Sequence, residues 1–146
     1  LFRSVLKAEE CDIPADYDSF AKAGTMLGSG ATVVLDETTD MVKVLARLMK
    51  FYAHESCGWC IPCREGTAWL KKITARLDEG VGASKDIDLI DQISNSMMGR
   101  TFCPLGDAAA MPAMAIARKF RDEIEAKINA SGAYTPAPGT RPLVIL

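Results

Sequence analysis

The chain has 146 residues with 17 basic and 19 acidic side chains, a net charge of -2, and 49% hydrophobic residues. Its mean hydropathy is +0.07; this supports a packed core and excludes wholesale disorder, while the balanced charge leaves no basic stripe suited to nucleic acid. No apolar run nears the roughly 20 residues of a membrane span and nothing reads as a signal peptide, so no direct membrane insertion is expected.

The chain opens at Leu1-Phe2-Arg3-Ser4, as expected of a piece cut from a longer polypeptide. Asp16 is placed to cap a short helix through Phe20 and Ala23, which Gly24 ends. The run Gly24-Thr25-Met26-Leu27-Gly28-Ser29-Gly30 is punctuated like a phosphate-binding loop. It lacks the Lys-Ser/Thr pair, and a strand comes next where a helix should begin, so it reads as a turn. Ala31 to Asp36 reads as a short buried strand. One strand and one short helix do not close a sheet, so residues 1–37 read as the tail end of an α+β domain.

Residues 38–129 read as a four-helix bundle, making the chain mostly α. The first helix takes Thr38 or Thr39 as N-cap and presents Met41, Val44, Leu45, Leu48, Met49 and Tyr52 on one face. A second starts at Pro62 and buries Leu70, Ile73 and Leu77, and Gly80-Val81-Gly82 stops it. Ser84 caps the third, whose apolar face is Ile87, Ile90, Ile93 and Met97. A fourth is expected from Pro112 to about Asn129, with Met114, Ala117, Phe120, Ile124 and Ile128 inward. Residues 130–146, rich in proline and small residues, read as an extended tail whose Leu143-Val144-Ile145-Leu146 end is suited to lie on a partner.

Five cysteines make a complete disulfide framework unlike this chain, and their clustering points to metal chemistry. Cys57, Cys60 and Cys63 form a C-x2-C-x2-C run, and a remote Cys103 is followed by Pro104. Three thiolates at this spacing wrap one corner of a cubane and a distant fourth closes it, as in bacterial ferredoxins. A zinc-stabilised helical module is the competing reading, although structural zinc more often uses two separate Cys hooks. The run sits at the start of the Pro62 helix, where free amides and the positive dipole end face the sulfurs. Arg64 is either a cation beside the cluster or one half of a surface ion pair. Cys11 reads as an inert packing thiol, and His54 as a surface or capping residue rather than a polarising group or substitute ligand, since four cysteines already satisfy a cluster. Glu55 and Ser56 either hydrogen-bond around the cysteine loop or act as ordinary caps. Trp59 either shields the site or packs on the bundle.

His54-Glu55-Ser56-Cys57-Gly58-Trp59-Cys60-Ile61-Pro62-Cys63-Arg64-Glu65-Gly66 closely resembles the signature of the NADH-binding flavoprotein (51 kDa-type, F) subunits of respiratory complex I. Cys103-Pro104-Leu105-Gly106-Asp107 matches that family's second motif, and residues 23–30, 33–36 and 40–42 also resemble it. The resemblance implies that Cys57, Cys60, Cys63 and Cys103 ligate one [4Fe-4S] cluster in a helical bundle. It also implies that the residues before it belong to a ubiquitin-like (β-grasp) domain, here cut partway. Pro104 and Leu105 are implied to lie near FMN in the whole flavoprotein, whereas the FMN- and NAD-binding loops have no counterpart in this chain.

The function implied is an electron relay from NADH-reduced FMN within NADH:quinone oxidoreductase, with no catalytic acid, base or nucleophile supplied by this chain and no activity from it alone. Implied partners are the [2Fe-2S] 24 kDa-type and multi-cluster 75 kDa-type subunits of a peripheral arm. That arm would lie on the cytoplasmic side of the inner membrane, or the matrix side in a eukaryote. Diaphorase-type subunits of NAD-linked hydrogenases and formate dehydrogenases carry a similar module and form the alternative branch. His54, Trp69 and the Cys103-x-Leu-Gly-Asp pattern favour the complex I branch.

Overall fold

A computed structural model describes residues 5–130 and 142–145. The chain divides into two compact units, one of residues 1–39 and 136–146, the other of residues 40–135.

In the first unit, β1 (Val5–Leu6), β2 (Val33–Asp36) and β3 (Pro142–Ile145) form a three-stranded sheet in the order β1-β3-β2. Both neighbours run antiparallel to β3, with Val5 and Val33 opposite Ile145 and Asp36 opposite Pro142. Residues 142–145, expected to belong to the extended tail, pair within the chain's own sheet. The rest of the expected tail, 131–141 and Leu146, falls outside the described residues. Between β1 and β2, α1 (Tyr17–Lys22) is capped as expected, Asp16 accepting from the Ser19 amide at 2.7 Å. Its buried Phe20 packs with Leu6, and Cys11, Ile13 and Leu27 lean on that pair. The strand expected to be buried is not, since Val34 is 64% exposed. A continuous apolar run marks a strand covered on both faces only where layers exist to cover it.

The second unit begins at Asp40. Its carboxylate, not Thr38 or Thr39, caps α2 (Met41–Glu55), accepting from the amides of Val42 and Lys43 at 2.9 and 3.2 Å. The two threonine hydroxyls instead donate to Asp36, which closes the end of β2 and whose carboxyl is held below its ordinary range by those bonds. Next come α3 (Ile61–Asp78) and α4 (Ser84–Met97). Ser84 is the first helical residue of α4 rather than its cap; the end is closed by Asp86, which reaches back to accept from the Ala83 amide at 2.9 Å. The apolar faces of α3 and α4 are buried at the positions that the 3.6-residue period marks, namely Leu70, Ile73, Leu77, Ile87, Ile90, Ile93 and Met97.

The fourth helix differs from its expected form. It starts earlier, as α5 (Leu105–Lys119), runs through Pro112, and breaks at Phe120 before α6 (Arg121–Asn129). Pro112 reads in the sequence as a helix start because a proline inside a helix costs about 3 kcal/mol. Here it lies among the buried alanines 108, 109, 110 and 113, whose strong helix preference and small volume favour a tightly packed helix. The inward face holds Ala117, Phe120 and Ile124 as expected across the break, with two differences: Ile116 rather than Met114 is fully buried, and Lys127 is buried where Ile128 was expected.

Helices α2, α3, α4 and α5 pack each against the next, and α5 closes the ring on α2. Short connections make successive helices antiparallel, so the N-termini of α3 and α5 share one end of the bundle. The other end, where α2 begins and α3 stops, is tied by Lys127. Its ammonium donates to Asp40 at 2.6 Å and to Asp78. Burial works against that charge, but the bonds and negative charges of the two aspartates outweigh it and raise the Lys127 pKa. Among the described residues no helix is long and apolar enough to cross a membrane.

Candidate metal centre

The four cysteines of interest all lie at the shared N-terminal end of α3 and α5. Cys57 precedes α3, Cys60 is its N-cap, Cys63 lies in its first turn, and Cys103 immediately precedes Pro104, the N-cap of α5. Two helix N-termini thus direct unpaired amides and positive dipole ends to one place, which suits a group of negative charge.

The cysteine run and the remote cysteine are joined directly. The Phe102 amide donates to Cys60 Sγ at 3.3 Å, across 42 positions of sequence. Next to it, the Thr101 hydroxyl donates to the Cys103 carbonyl at 2.9 Å, and Asp107 accepts from the Gly99 amide at 2.7 Å, fixing the turn between α4 and α5. Gly106 lets this turn close: a Cβ there would stand 2.6 Å from the Thr101 side chain. On the other loop, Gly58 takes φ of 78°, a left-handed conformation natural to glycine. Its carbonyl accepts from Arg64 Nη1 at 3.0 Å, and Arg64 Nε also pairs with Glu65 at 2.9 Å. Arg64 therefore forms the surface ion pair of one reading and, outside either reading, braces the cysteine loop. Farther along α3, Gly66 permits close approach of α4, since a Cβ would meet Met97 Cγ at 2.6 Å.

Burial grades across the set: Cys63 is buried, Cys60 intermediate, and Cys57 and Cys103 exposed. Burial pushes the Cys63 thiol up, a hydrogen bond with Ser56 partly offsets this, and charge on Cys103, Cys57 and Cys60 adds to the rise. Yet among the described residues no three His, Cys, Asp or Glu side chains converge as ligands of a single ion. A [4Fe-4S] cube distributes its thiolates over four separate irons, so its ligands stand wider apart than those of one zinc. Four soft thiol donors from two loops, facing two helix N-termini, fit such a cluster.

Other residues singled out in the sequence take their places around this end. His54 is exposed in the last turn of α2. Trp59 is 83% exposed and does not pack on the bundle. Cys11 belongs to the other unit, its thiol donating to the Lys7 carbonyl at 3.2 Å. Pro104 and Leu105 form the start of α5 beside Cys103. Sequence reading missed the Phe102 amide, because a backbone donor leaves no mark on residue type. It also missed the braces at Thr101 and Asp107, though Asp107 stands in the motif that singled out Cys103.

Residues 43–127 match the family model described as the NADH-ubiquinone oxidoreductase-F iron-sulfur binding region. The chain is 48% identical over 128 residues to the F subunit of the NADH-quinone oxidoreductase of Mycobacterium tuberculosis, covering 88% of this chain and 29% of that protein. To its counterpart in Rickettsia rickettsii it is 46% identical over 119 residues, covering 82% of this chain and 28% of the relative. The chain thus spans less than a third of the length of these curated relatives. Among solved structures, an NAD+-reducing [NiFe]-hydrogenase in its H2-reduced state is similar with a TM-score of 0.67 and 26% identity, covering 88% of this chain and 23% of that one.

Proposed function

The chain belongs to the NADH-ubiquinone oxidoreductase-F iron-sulfur binding family, and on that footing we propose that its bundle is the electron-relay part of an NADH:quinone oxidoreductase. Cys57, Cys60, Cys63 and Cys103 are the ligands of its [4Fe-4S] cluster in this reading. The observation that carries it is the Phe102 amide on Cys60 Sγ, which supports bringing the run and the fourth cysteine to one cluster. A bound cluster of this kind supplies acceptance and release of single electrons.

The chain's own residues do the rest. Cys63, in the first turn of α3 and sheltered from water, anchors the set on a rigid helix. The α3 and α5 N-termini oppose the negative charge of four thiolates, and amide donation to sulfur favours the added electron. No side chain is asked to act as acid, base or nucleophile. Within the whole flavoprotein, FMN would take hydride from NADH and pass single electrons on, with Pro104 and Leu105 at the flavin-facing edge. The unit of β1, α1 and β2 is read as the remaining part of a β-grasp domain, residues 1–37. The cluster bundle is read as 38–129 and the tail as 130–146, whose strand β3 joins the sheet of that first unit. Partners are the [2Fe-2S] and multi-cluster iron-sulfur subunits of a peripheral arm on the cytoplasmic or matrix side of the membrane.

A diaphorase role in an NAD-linked hydrogenase is the second reading, favoured by the structural likeness at 26% identity. The 48% identity to quinone-linked relatives favours the first.

The test is anaerobic reconstitution of the chain with iron and sulfide. A brown protein with four irons per chain and an EPR signal after dithionite is the expected result, with no NADH oxidation by the chain alone. A colourless protein that retains one zinc and gives no EPR signal would overturn the proposal.

A further inference from the structure

Ser56 comes directly after α2, and its hydroxyl stands 3.3 Å from Cys63 Sγ. Either atom can donate when Cys63 is a thiol, but a ligating thiolate has no proton, so the hydroxyl must then be the donor. The same oxygen is an acceptor from the Gly58 amide at 3.4 Å. An oxygen that already accepts is a better donor, so the two bonds reinforce each other.

The surroundings hold this hydroxyl in place. The Ser56 amide donates to the Tyr52 carbonyl at 3.1 Å, fixing the residue to the last turn of α2. Gly58, the source of the incoming amide, is pinned through its carbonyl by Arg64 at 3.0 Å. Cys63 is 7% exposed, the most buried of the four cysteines, so water competes little for its sulfur. A donor aimed at a sheltered ligand sulfur has more effect on the electronic state than one at an exposed sulfur.

We propose that the Ser56 hydroxyl is a potential-setting donor to Cys63, raising the reduction potential of the cluster held there. The inference rests on the cluster reading above and names the residue that tunes it. When one electron arrives, negative charge on the ligand sulfur grows and the O–H···S bond strengthens. No bond is made or broken, and the proton stays on Oγ. The hydroxyl therefore stabilises the reduced state more than the oxidised one.

The experiment is an EPR-monitored redox titration of the reconstituted chain, alongside iron and sulfide content. Ser56→Ala should lower the equilibrium constant for reduction by about tenfold, a fall of about 59 mV for a one-electron couple. The matched pair Ser56→Thr and Ser56→Val separates hydroxyl from bulk, because the two have nearly the same shape. Thr should titrate within a factor of two of wild type, and Val should fall with Ala. If Ala keeps the wild-type potential, or Thr and Val share one potential, the proposal is overturned. Loading by Thr alone, with Ala and Val both empty, also overturns it, because the hydroxyl then serves assembly rather than tuning. A wild-type chain that takes up no cluster refutes the underlying reading instead.

Discussion

Lys127 Nζ lies 2.6 Å from Asp40 Oδ2, joining residues 87 positions apart at the end of the bundle away from the cysteines. Asp40 also caps α2, and Asp78, the second partner, ends α3. A single buried ammonium thus registers three helices. Replacing it by methionine should leave two carboxylates facing each other without a cation, at a cost of about 2–3 kcal/mol in urea unfolding at pH 8. The full buried-pair penalty is not expected, because Asp40 and Asp78 retain some water contact.

The same pair sets a pH dependence. The folded Lys127 pKa is raised, so its stabilisation is complete below the unfolded lysine value near 10.4 and fades as pH climbs through the folded value. The gap between wild type and Lys127→Met should therefore be constant from pH 7 to 10 and shrink above it. A gap that widens with alkalinity would contradict the assignment.

Gly66 is set against Met97 across the α3–α4 contact, and Met97 is 1% exposed, so its side chain has no solvent to retreat into. Gly66→Ala should destabilise by about 1–2 kcal/mol, the overpacking outweighing the roughly 1 kcal/mol that alanine gains in a helix. In a double-mutant cycle, Gly66→Ala with Met97→Ala should cost less than the two single changes together.

The assigned ligands make a further prediction. Cys60→Ser and Cys103→Ser should each deplete cluster iron to a similar degree, whereas Cys11→Ser, in the other unit, should leave iron content unchanged. Thermal unfolding should show the same order, because ligation is coupled to folding. Loss of iron from the Cys11 variant alone would move the fourth ligand to that position.

Phe102 donates to Cys60 through its backbone while its ring is 94% exposed. Phe102→Ala keeps the amide, so the isolated chain should hold its cluster normally and change in stability by no more than about 0.5 kcal/mol. A marked loss of iron would mean that the ring, not the amide, supports the site.

Legibility in residue order divides along physical lines. The cysteine run is legible because ligand chemistry is written in residue type, and the faces of α2 to α4 because burial repeats every 3.6 residues. The start of α5 was hidden by Pro112 and by an alanine face that carries little hydrophobic signal. The break at Phe120 is marked by neither glycine nor proline, and a lysine at position 127 gives no sign in the sequence that it is buried between two aspartates. Asp40 took the cap from two neighbouring threonines because Asp36 had claimed their hydroxyls. Competition of this kind depends on where the chain turns, so composition does not reveal it.

The link between Cys60 and Phe102 also has a bearing on when the site can close. Ribosomes add about 5–20 residues per second, so the 42 positions between them take roughly 2–8 s to appear. During that interval each nascent chain offers three thiols on one loop and lacks the turn that completes the set. Insertion machinery acting on this loop before α5 docks would meet an open cradle. Acting afterwards, it would meet one already spanned by the Phe102 amide, and the order of delivery and folding becomes a property of the chain's own length.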